Sequence, residues 1–479
     1  MSPHAPERKW LALALLALSA FMIVVDVSIV NVALPSIKTH LHFSESSLQW
    51  VLSAYTLTFG GFLLLGGRAA DLLGRRRLFI AGMALFTVAS LWCGLSSSAG
   101  MLIAARAVQG LGAAIVSPAA LSILSTTFAE GKERNTALGV WGAVQGAGAA
   151  VGVLAGGVLT SYLGWEWIFF VNVPVGAIAL SLSPFLLRES RADLGHRRFD
   201  AAGAVTVTSG LSLLVYAVVT TDKHHWGSAT TILLLLAAAA LLVAFLAIEA
   251  RSPAPLMPLR FFENRTVTGA NLVGFLLGTA VFAMFFFLSL YMQQVLHYSA
   301  LKSGVAYLAI AGTTIPLTGL AQALTTRFGA RPILAIGMAC NVATLAWLTQ
   351  VRVDGGYVVD LLPAFVVGAL GLAFSFVPMS IAALAGVQAR DAGLASGLIN
   401  TSQQIGGAVG IAVLSTIAAN HTNAVLKAGI EFRTALTSGF HHAFAVAAVV
   451  ALVGVVLAVV LVRPADIPGE AEAETPAVV

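Results

Sequence analysis

What this chain has least of is charge. Asp, Glu, Lys and Arg make up 10% of its 479 residues, against about 25% in an ordinary soluble domain, and 58% of the residues are hydrophobic. That deficit excludes a large soluble core and points to a chain that crosses a bilayer many times. Cysteine is nearly missing as well. Cys93 and Cys340 each lie in an apolar segment, so neither a disulfide framework nor a Cys/His zinc spacing arises, and no metal or other cofactor is expected. There is no Gly-rich phosphate loop with Lys-Ser/Thr, and the loops are too short for a nucleotide-binding domain. ATP-driven pumping by this chain alone is therefore not expected. Nor does any cluster of nucleophile, base or metal ligand suggest an enzyme. The first apolar run is too long for a cleavable signal peptide and continues into further spans. The net charge of +5 does not indicate nucleic acid, because the cations sit in short loops between apolar runs.

Those runs are long. A membrane-spanning helix needs about 20 mostly apolar residues, and the sequence yields fourteen such segments: 10–34, 48–67, 78–97, 101–125, 136–160, 167–187, 201–221, 229–249, 267–292, 304–326, 332–350, 358–384, 394–419 and 440–462. With loops assigned alternately, nineteen of the 26 Lys and Arg fall on one face and six on the other, Arg106 lying inside the fourth span. The positive-inside rule then puts both termini in the cytoplasm. The segment 464–479, rich in proline and acids, reads as a disordered tail.

The two ends of the chain echo each other. Leu73-Gly74-Arg75-Arg76 resembles Phe328-Gly329-Ala330-Arg331, and Gly148-Ala149-Ala150-Val151-Gly152 resembles Gly406-Gly407-Ala408-Val409-Gly410 at nearly the same offset. Duplicated six-helix bundles that rock about a midplane site are a transporter design. The expected fold is an all-α membrane protein of fourteen transmembrane helices: an N-terminal bundle at 1–190, two linker helices at 191–262 and a C-terminal bundle at 263–463.

Two charges stand inside the apolar spans. Asp26 interrupts the first, where a carboxylate in hydrocarbon costs about 2.5 kcal/mol or more, and such groups mark proton, ion or substrate paths. Protonation would neutralise it, so its burial cost changes with each proton. No other acid lies deep in a span; Glu166, Glu249 and Asp360 fall at span ends. Arg106, in the middle of the fourth span, must face the bundle interior or a wet cavity, with Gln109 three residues on and on the same face. Gly67 and Gly74 bracket a basic loop, Gly67-Arg68-Ala69-Ala70-Asp71-Leu72-Leu73-Gly74-Arg75-Arg76-Arg77, and permit tight turning. Asp71 can accept from a neighbouring helix N-terminus, and Arg75 can pair with Glu130 or Glu133, contacts that would lock the cytoplasmic side. The spacing Gly148, Gly152, Gly156 allows close helix packing and a smooth seam across which the halves slide.

Together with Val25-Asp26 through Leu34-Pro35, Arg106-Ala107-Val108-Gln109-Gly110 and Trp165-Glu166-Trp167-Ile168-Phe169-Phe170-Val171-Asn172-Val173-Pro174, these motifs resemble the major facilitator superfamily. Within it they look like the fourteen-helix drug–proton antiporter branch. Two positions depart from the pattern: Leu72 replaces the basic residue after the loop aspartate, and Val153 replaces the proline after Gly152. The resemblance implies the major facilitator fold, a proton-exchange role for Asp26 with Arg106, and export of lipophilic drugs or antibiotics across the cell membrane by a monomer. Partners would be protons, the lipid bilayer and a lipophilic small molecule. Candidates for the substrate path are Asn31, Tyr55, Gln109, Gln145, Asn271, Phe275, Phe282, Asn400, Gln403 and Gln404, aromatic and polar groups suited to an adaptable pocket. The histidines, mostly in loops, read as solvated. Two alternatives stay open: a proton-coupled importer of a small metabolite in the same fold, and a non-transporting receptor or scaffold, against which the two embedded charges argue.

Overall fold

The computed structural model describes residues 5–128, 132–191, 200–219, 227–252, 255–256, 259–387 and 392–463; the expected tail at 464–479 lies outside the described residues. In chain order the helices are α1 Ala5–Leu41, α2 Glu45–Leu48, α3 Trp50–Leu73, α4 Arg75–Gly94, α5 Ala99–Thr127, α6 Lys132–Tyr162, α7 Trp167–Phe170, α8 Asn172–Leu186, α9 Ala201–Val219, α10 Ala229–Arg251, α11 Arg265–Leu290, α12 Ala300–Phe328, α13 Ala330–Leu348, α14 Leu362–Ala383, α15 Ala392–Lys427 and α16 Phe432–Leu461. A π-helical turn, Tyr291–Val295, extends α11, and another, Tyr357–Leu361, precedes α14. No strand occurs among the described residues. Hydrocarbon offers no partners to backbone N–H and C=O groups, and a helix satisfies them internally.

Eleven helical segments are long and apolar enough to cross a membrane, α7 and α8 together counting as one. Helices α3, α6 and α9 carry shorter apolar stretches, Trp50–Leu63, Val151–Tyr162 and Ala202–Val218. Side-chain caps set several starts. Ser98 accepts from the Met101 N–H at 3.3 Å, Ser228 from Thr231 at 3.1 Å, Asn264 from Thr266 at 2.8 Å and Ser299 from Lys302 at 3.1 Å. Each satisfies a donor that the first helical turn leaves free.

The helices pack in two sets. In the first, α1 lies along α6, and α5 between α3 and α4, with α8 against α1 and α4. In the second, α11 lies along α15, and α13 and α14 pack together with α12 and α16 outside them. The repeat seen in the sequence recurs in the backbone: Gly74 and Gly329 both end one helix and start the next at positive φ, 117° and 84°, a conformation glycine reaches without Cβ strain. Between the sets, α6 packs on α12 and α3 on α15. Helices α9 and α10 pair with each other, and α9 leans on α3 and α15 through an apolar cluster of Leu57, Leu211, Val215, Ala408 and Ala412.

The glycine stripe on α6 faces differently from the expectation of a seam between halves. A Cβ on Gly148 would meet Val24 at 3.0 Å, one on Gly152 the Val25 carbonyl at 2.9 Å, and one on Gly156 the Ile29 carbonyl at 2.7 Å. All three press on α1 of the same set, flanking Asp26. The contact between sets runs one residue over: Gly157 abuts the backbone of Ala300 and Leu301, and Gly304 abuts Val153 and Gly157. On a helix, neighbouring residues point about 100° apart, so one glycine run serves both interfaces. The histidines also need correction. His421 lies inside α15, which runs past the expected span end at 419, and His441 and His442 lie inside α16; His421 bonds Ser438 at 2.9 Å and His441 the Val351 carbonyl at 2.8 Å.

Gly152→Val is expected to lower stability by about 1–3 kcal/mol through overpacking against α1, read as a lower midpoint of thermal unfolding in detergent. Gly312→Ala, at a position with open space around it, is expected to leave the midpoint unchanged or raise it.

Candidate functional site

Asp26 and Arg106 meet. Both are fully buried, and Arg106 Nη1 donates to Asp26 Oδ2 at 2.6 Å. The sequence left this contact open; it arises because α5 crosses α1 where α3, α4 and α8 also converge. Asp26 Oδ1 accepts from Gln109 Nε2 and from Asn172 Nδ2, each at 2.8 Å. Arg106 Nη1 also donates to Gln109 Oε1 at 2.6 Å, and Arg106 Nε to the Val51 carbonyl at 3.0 Å. Its guanidinium lies over the Tyr55 ring, 4.2 Å from the centroid, a favourable cation–π placement in a dry site. Ser90 Oγ accepts from Gln109 at 3.1 Å and Asn172 at 3.0 Å and donates to the Phe169 carbonyl at 2.9 Å.

The carboxylate thus sees only N–H donors, supplied by Arg106, Gln109 and Asn172. Opposite charge and hydrogen bonds make burial of an ion tolerable; without them it costs several kcal/mol per ion. A protonated carboxyl would need an acceptor for its O–H. The side-chain acceptor oxygens beside it, Ser90 Oγ and Gln109 Oε1, are already engaged. Taking up a proton therefore means rearranging the shell that joins α1, α4, α5 and α8.

Sequence reasoning missed three members of this structure. Asn172 was visible only as part of the Phe170-Val171-Asn172 motif, and Ser90 carried no signal in its Ala-Ser-Leu context. Glu189, just past α8, receives the basic loop: it accepts from the Arg76 N–H at 3.2 Å, lies 3.6 Å from Arg77 Nε, and sits where a Cβ on Gly74 would be 2.8 Å away. The backbone of Arg75 donates to the Ser190 carbonyl at 3.0 Å. Glu133, expected as an Arg75 partner, pairs with Lys9 at 2.6 Å. Glu130 and the side chains of Asp71 and Gln145 lie outside the described residues. Gly67 rests on Pro118, its Cβ position 3.3 Å away.

The expected substrate-path residues do not form one surface. Tyr55 and Gln109 belong to the buried shell of Asp26 and Arg106. Asn31 is half-buried and donates back to the Val27 carbonyl at 3.1 Å. Asn271 clasps α15, accepting from Ser402 at 3.1 Å. Phe275 and Phe282 are half-buried, the Phe282 ring covering Gly407. On α15, Asn400 is exposed, Gln403 points to Met379 with its Nε2 3.9 Å from the sulfur, and Gln404 packs at Gly60 of α3. No group of three metal-ligating side chains occurs among the described residues.

The long apolar helices packed in two sets are those of a multi-pass membrane protein. The model of the Major Facilitator Superfamily matches residues 16–411, and the chain belongs to that family, whose members are transporters and not enzymes; it is a multi-pass membrane protein. It is 39% identical to the puromycin resistance protein of Streptomyces alboniger, covering 94% of this chain and 90% of that one. It is 40% identical to the cephamycin export protein of Amycolatopsis lactamdurans, covering 86% and 85%. The tetracenomycin C resistance and export protein of Streptomyces glaucescens is 34% identical, covering 87% and 77%. Among solved structures, a bacterial homolog of the human lysosomal transporter Spinster, inward-facing and unoccupied, superposes with a TM-score of 0.67 at 16% identity, covering 98% of this chain and 99% of that one. An auto-inhibited POT family peptide transporter gives 0.68 at 15% identity, covering 95% and 97%. At these identities the structures speak for the fold alone.

Arg106→Met is expected to destabilise the protein by about 3–5 kcal/mol by leaving Asp26 buried without its counter-charge. Arg106→Met combined with Asp26→Asn should lose markedly less than the sum of the two single losses. Thermal unfolding of the four proteins of this cycle checks the coupling.

Proposed function

We propose that this protein exports lipophilic small molecules, antibiotics among them, across the cell membrane in exchange for protons, and that Asp26 is the group that carries the proton. The observation that carries this reading is the buried Asp26 carboxylate, wrapped in N–H donors from one set of helices. Protonation cancels its charge, releases Arg106 and removes the reason for the shell to stay closed. The antibiotic resistance and export functions named for the relatives support drug efflux. One embedded acid, with none deep in the second half of the sequence, suits a neutral or singly charged cationic cargo.

The excess of Lys and Arg on one face supports cytoplasmic termini and an outward orientation of the C-terminal end of α1. Helices α3, α6 and α9 complete a set of fourteen spans, divided into an N-terminal bundle at 1–190, two linker helices at 191–262 and a C-terminal bundle at 263–463. The protein works as a monomer, with the two bundles alternating access around the midplane. Gly67, Asp71, Gly74 and Arg75 hold the cytoplasmic loop, where the docking of the Arg76 N–H on Glu189 supports a gating role. Val153, in place of the family's proline, keeps uptake as the second reading; the direction of flux in vesicles separates the two.

Asp26→Asn is expected to abolish proton-coupled efflux while the protein still folds and inserts. In inside-out vesicles with an imposed pH gradient, the parent protein should accumulate a fluorescent lipophilic cation and the variant should not. In a pump-deficient host the variant should lose resistance. Efflux at the parent rate by Asp26→Asn would overturn the assignment.

A further inference from the structure

Hydrogen bonds between the two helix sets gather at the end of the molecule where α1 finishes. The Ser289 hydroxyl on α11 donates to the Asn31 carbonyl on α1. Gln293, in the π-helical turn that extends α11, donates to the Val32 carbonyl at 2.8 Å and to Ser289 Oγ at 3.3 Å. Leu301 N–H donates to Ser161 Oγ at 3.1 Å, and Ser415 Oγ to Gln49 Oε1 at 2.6 Å. In this structure these bonds tie the two sets together at that end.

One of these bonds differs in kind from the others. Pro35 lies inside α1, four residues beyond Asn31. Proline has no N–H, so the bond that an α-helix would send from residue 35 to the Asn31 carbonyl is missing. Ser289, fully buried, supplies a donor to that same carbonyl from the opposite helix set. The π-helical turn, a feature concentrated at functional sites, carries Gln293, which bonds both Ser289 and the next carbonyl along α1. A proline in one bundle thus creates an acceptor that the other bundle fills.

We propose that Pro35, Ser289 and Gln293 form the latch of the outer gate. Closed, the Asn31 carbonyl takes the Ser289 hydroxyl; open, water entering the outer vestibule takes its place. Because a buried acceptor without a partner is costly and a hydrated one is not, the bond is of use only while the halves are together. The latch sits on the helix that carries Asp26, five residues away, so a rearrangement around the proton site acts on the same rod. The proposal rests on the alternating-access reading and its orientation, but not on Asp26 being the proton group.

The test is hydrogen–deuterium exchange on the purified full-length protein in lipid nanodiscs, for the parent, Ser289→Ala, Pro35→Ala and the double variant. Exchange is read at 158–162 and 301–309, which line the same outer seam on α6 and α12, and at the opposite ends of those helices. Ser289→Ala is expected to raise the outer open population about tenfold, increasing exchange at the outer seam and decreasing it at the inner ends. In the Pro35→Ala background, where residue 35 regains its N–H, the same serine substitution should change exchange little. Equal effects in both backgrounds, or no opening in Ser289→Ala, would overturn the latch. Higher exchange at both ends with a lower unfolding midpoint would mean general loosening and would overturn it too. Loss of efflux in Asp26→Asn with no seam change in Ser289→Ala would reject the latch and leave the proton assignment standing.

Discussion

The structure depends on one ion pair. Asp26 and Arg106 are both removed from water, and neither alone could be held there: an uncompensated buried charge costs several kcal/mol even after the surroundings relax. Their attraction is strengthened by the same low dielectric that makes them expensive, and Gln109, Asn172 and the Val51 carbonyl add hydrogen bonds to the pair. Each of these partners comes from a different helix, so the pair fixes the crossing of α1, α3, α5 and α8 far more tightly than apolar contacts do between surfaces that lipid could cover equally well. In a membrane, helices gain little hydrophobic drive to associate. Specific polar contacts and close backbone approach carry correspondingly more.

Close approach is the second constraint. Gly148, Gly152 and Gly156 bring α6 onto α1 directly beside Asp26, while Gly406 and Gly410 bring α15 onto α11 at Phe275 and Thr279 in the second set. The α1–α6 and α11–α15 pairs are thus bound within their own sets through glycines, while between the sets α6 packs on α12 and α3 on α15, and the hydrogen bonds across gather at the outer end. That division suits rigid halves that move against each other. The hydrogen bonds between the halves can be exchanged for water, whereas the close backbone contacts of α6 on α1 and of α15 on α11 leave no room for it.

Much of this was legible in the residues themselves. Asp26 and Arg106 stand out because a charge in an apolar run has no inexpensive explanation, and Gln109 follows from its place one turn from Arg106. The loop glycines were legible from the repeat, and both Gly74 and Gly329 occupy positive φ. Asn172, Ser90 and Glu189 were not legible. Short polar side chains in a helix usually bond their own backbone, as Ser19, Thr56 and Thr87 do here, so nothing local separates Ser90, which reaches across to Phe169, from those. Tyr55 looked like a pocket aromatic because periodicity reports a face and not what faces it; here that face holds Arg106.

By itself, the sequence determined that the chain lives in a bilayer, that its two ends repeat one design, and that one carboxylate and one guanidinium must be sheltered in the first half. These follow from composition, hydropathy and the cost of charge in hydrocarbon, which are properties of residues taken singly or in runs. Only the tertiary structure decided that the two charges touch, which neutral groups complete their shell, that the glycine stripe serves α1 while its neighbour Gly157 serves the other set, and that Ser289 fills the acceptor left by Pro35. Those are matters of helix rotation and crossing. A turn of a few tens of degrees exchanges one partner for another, and many such rotations satisfy the same hydrophobic pattern.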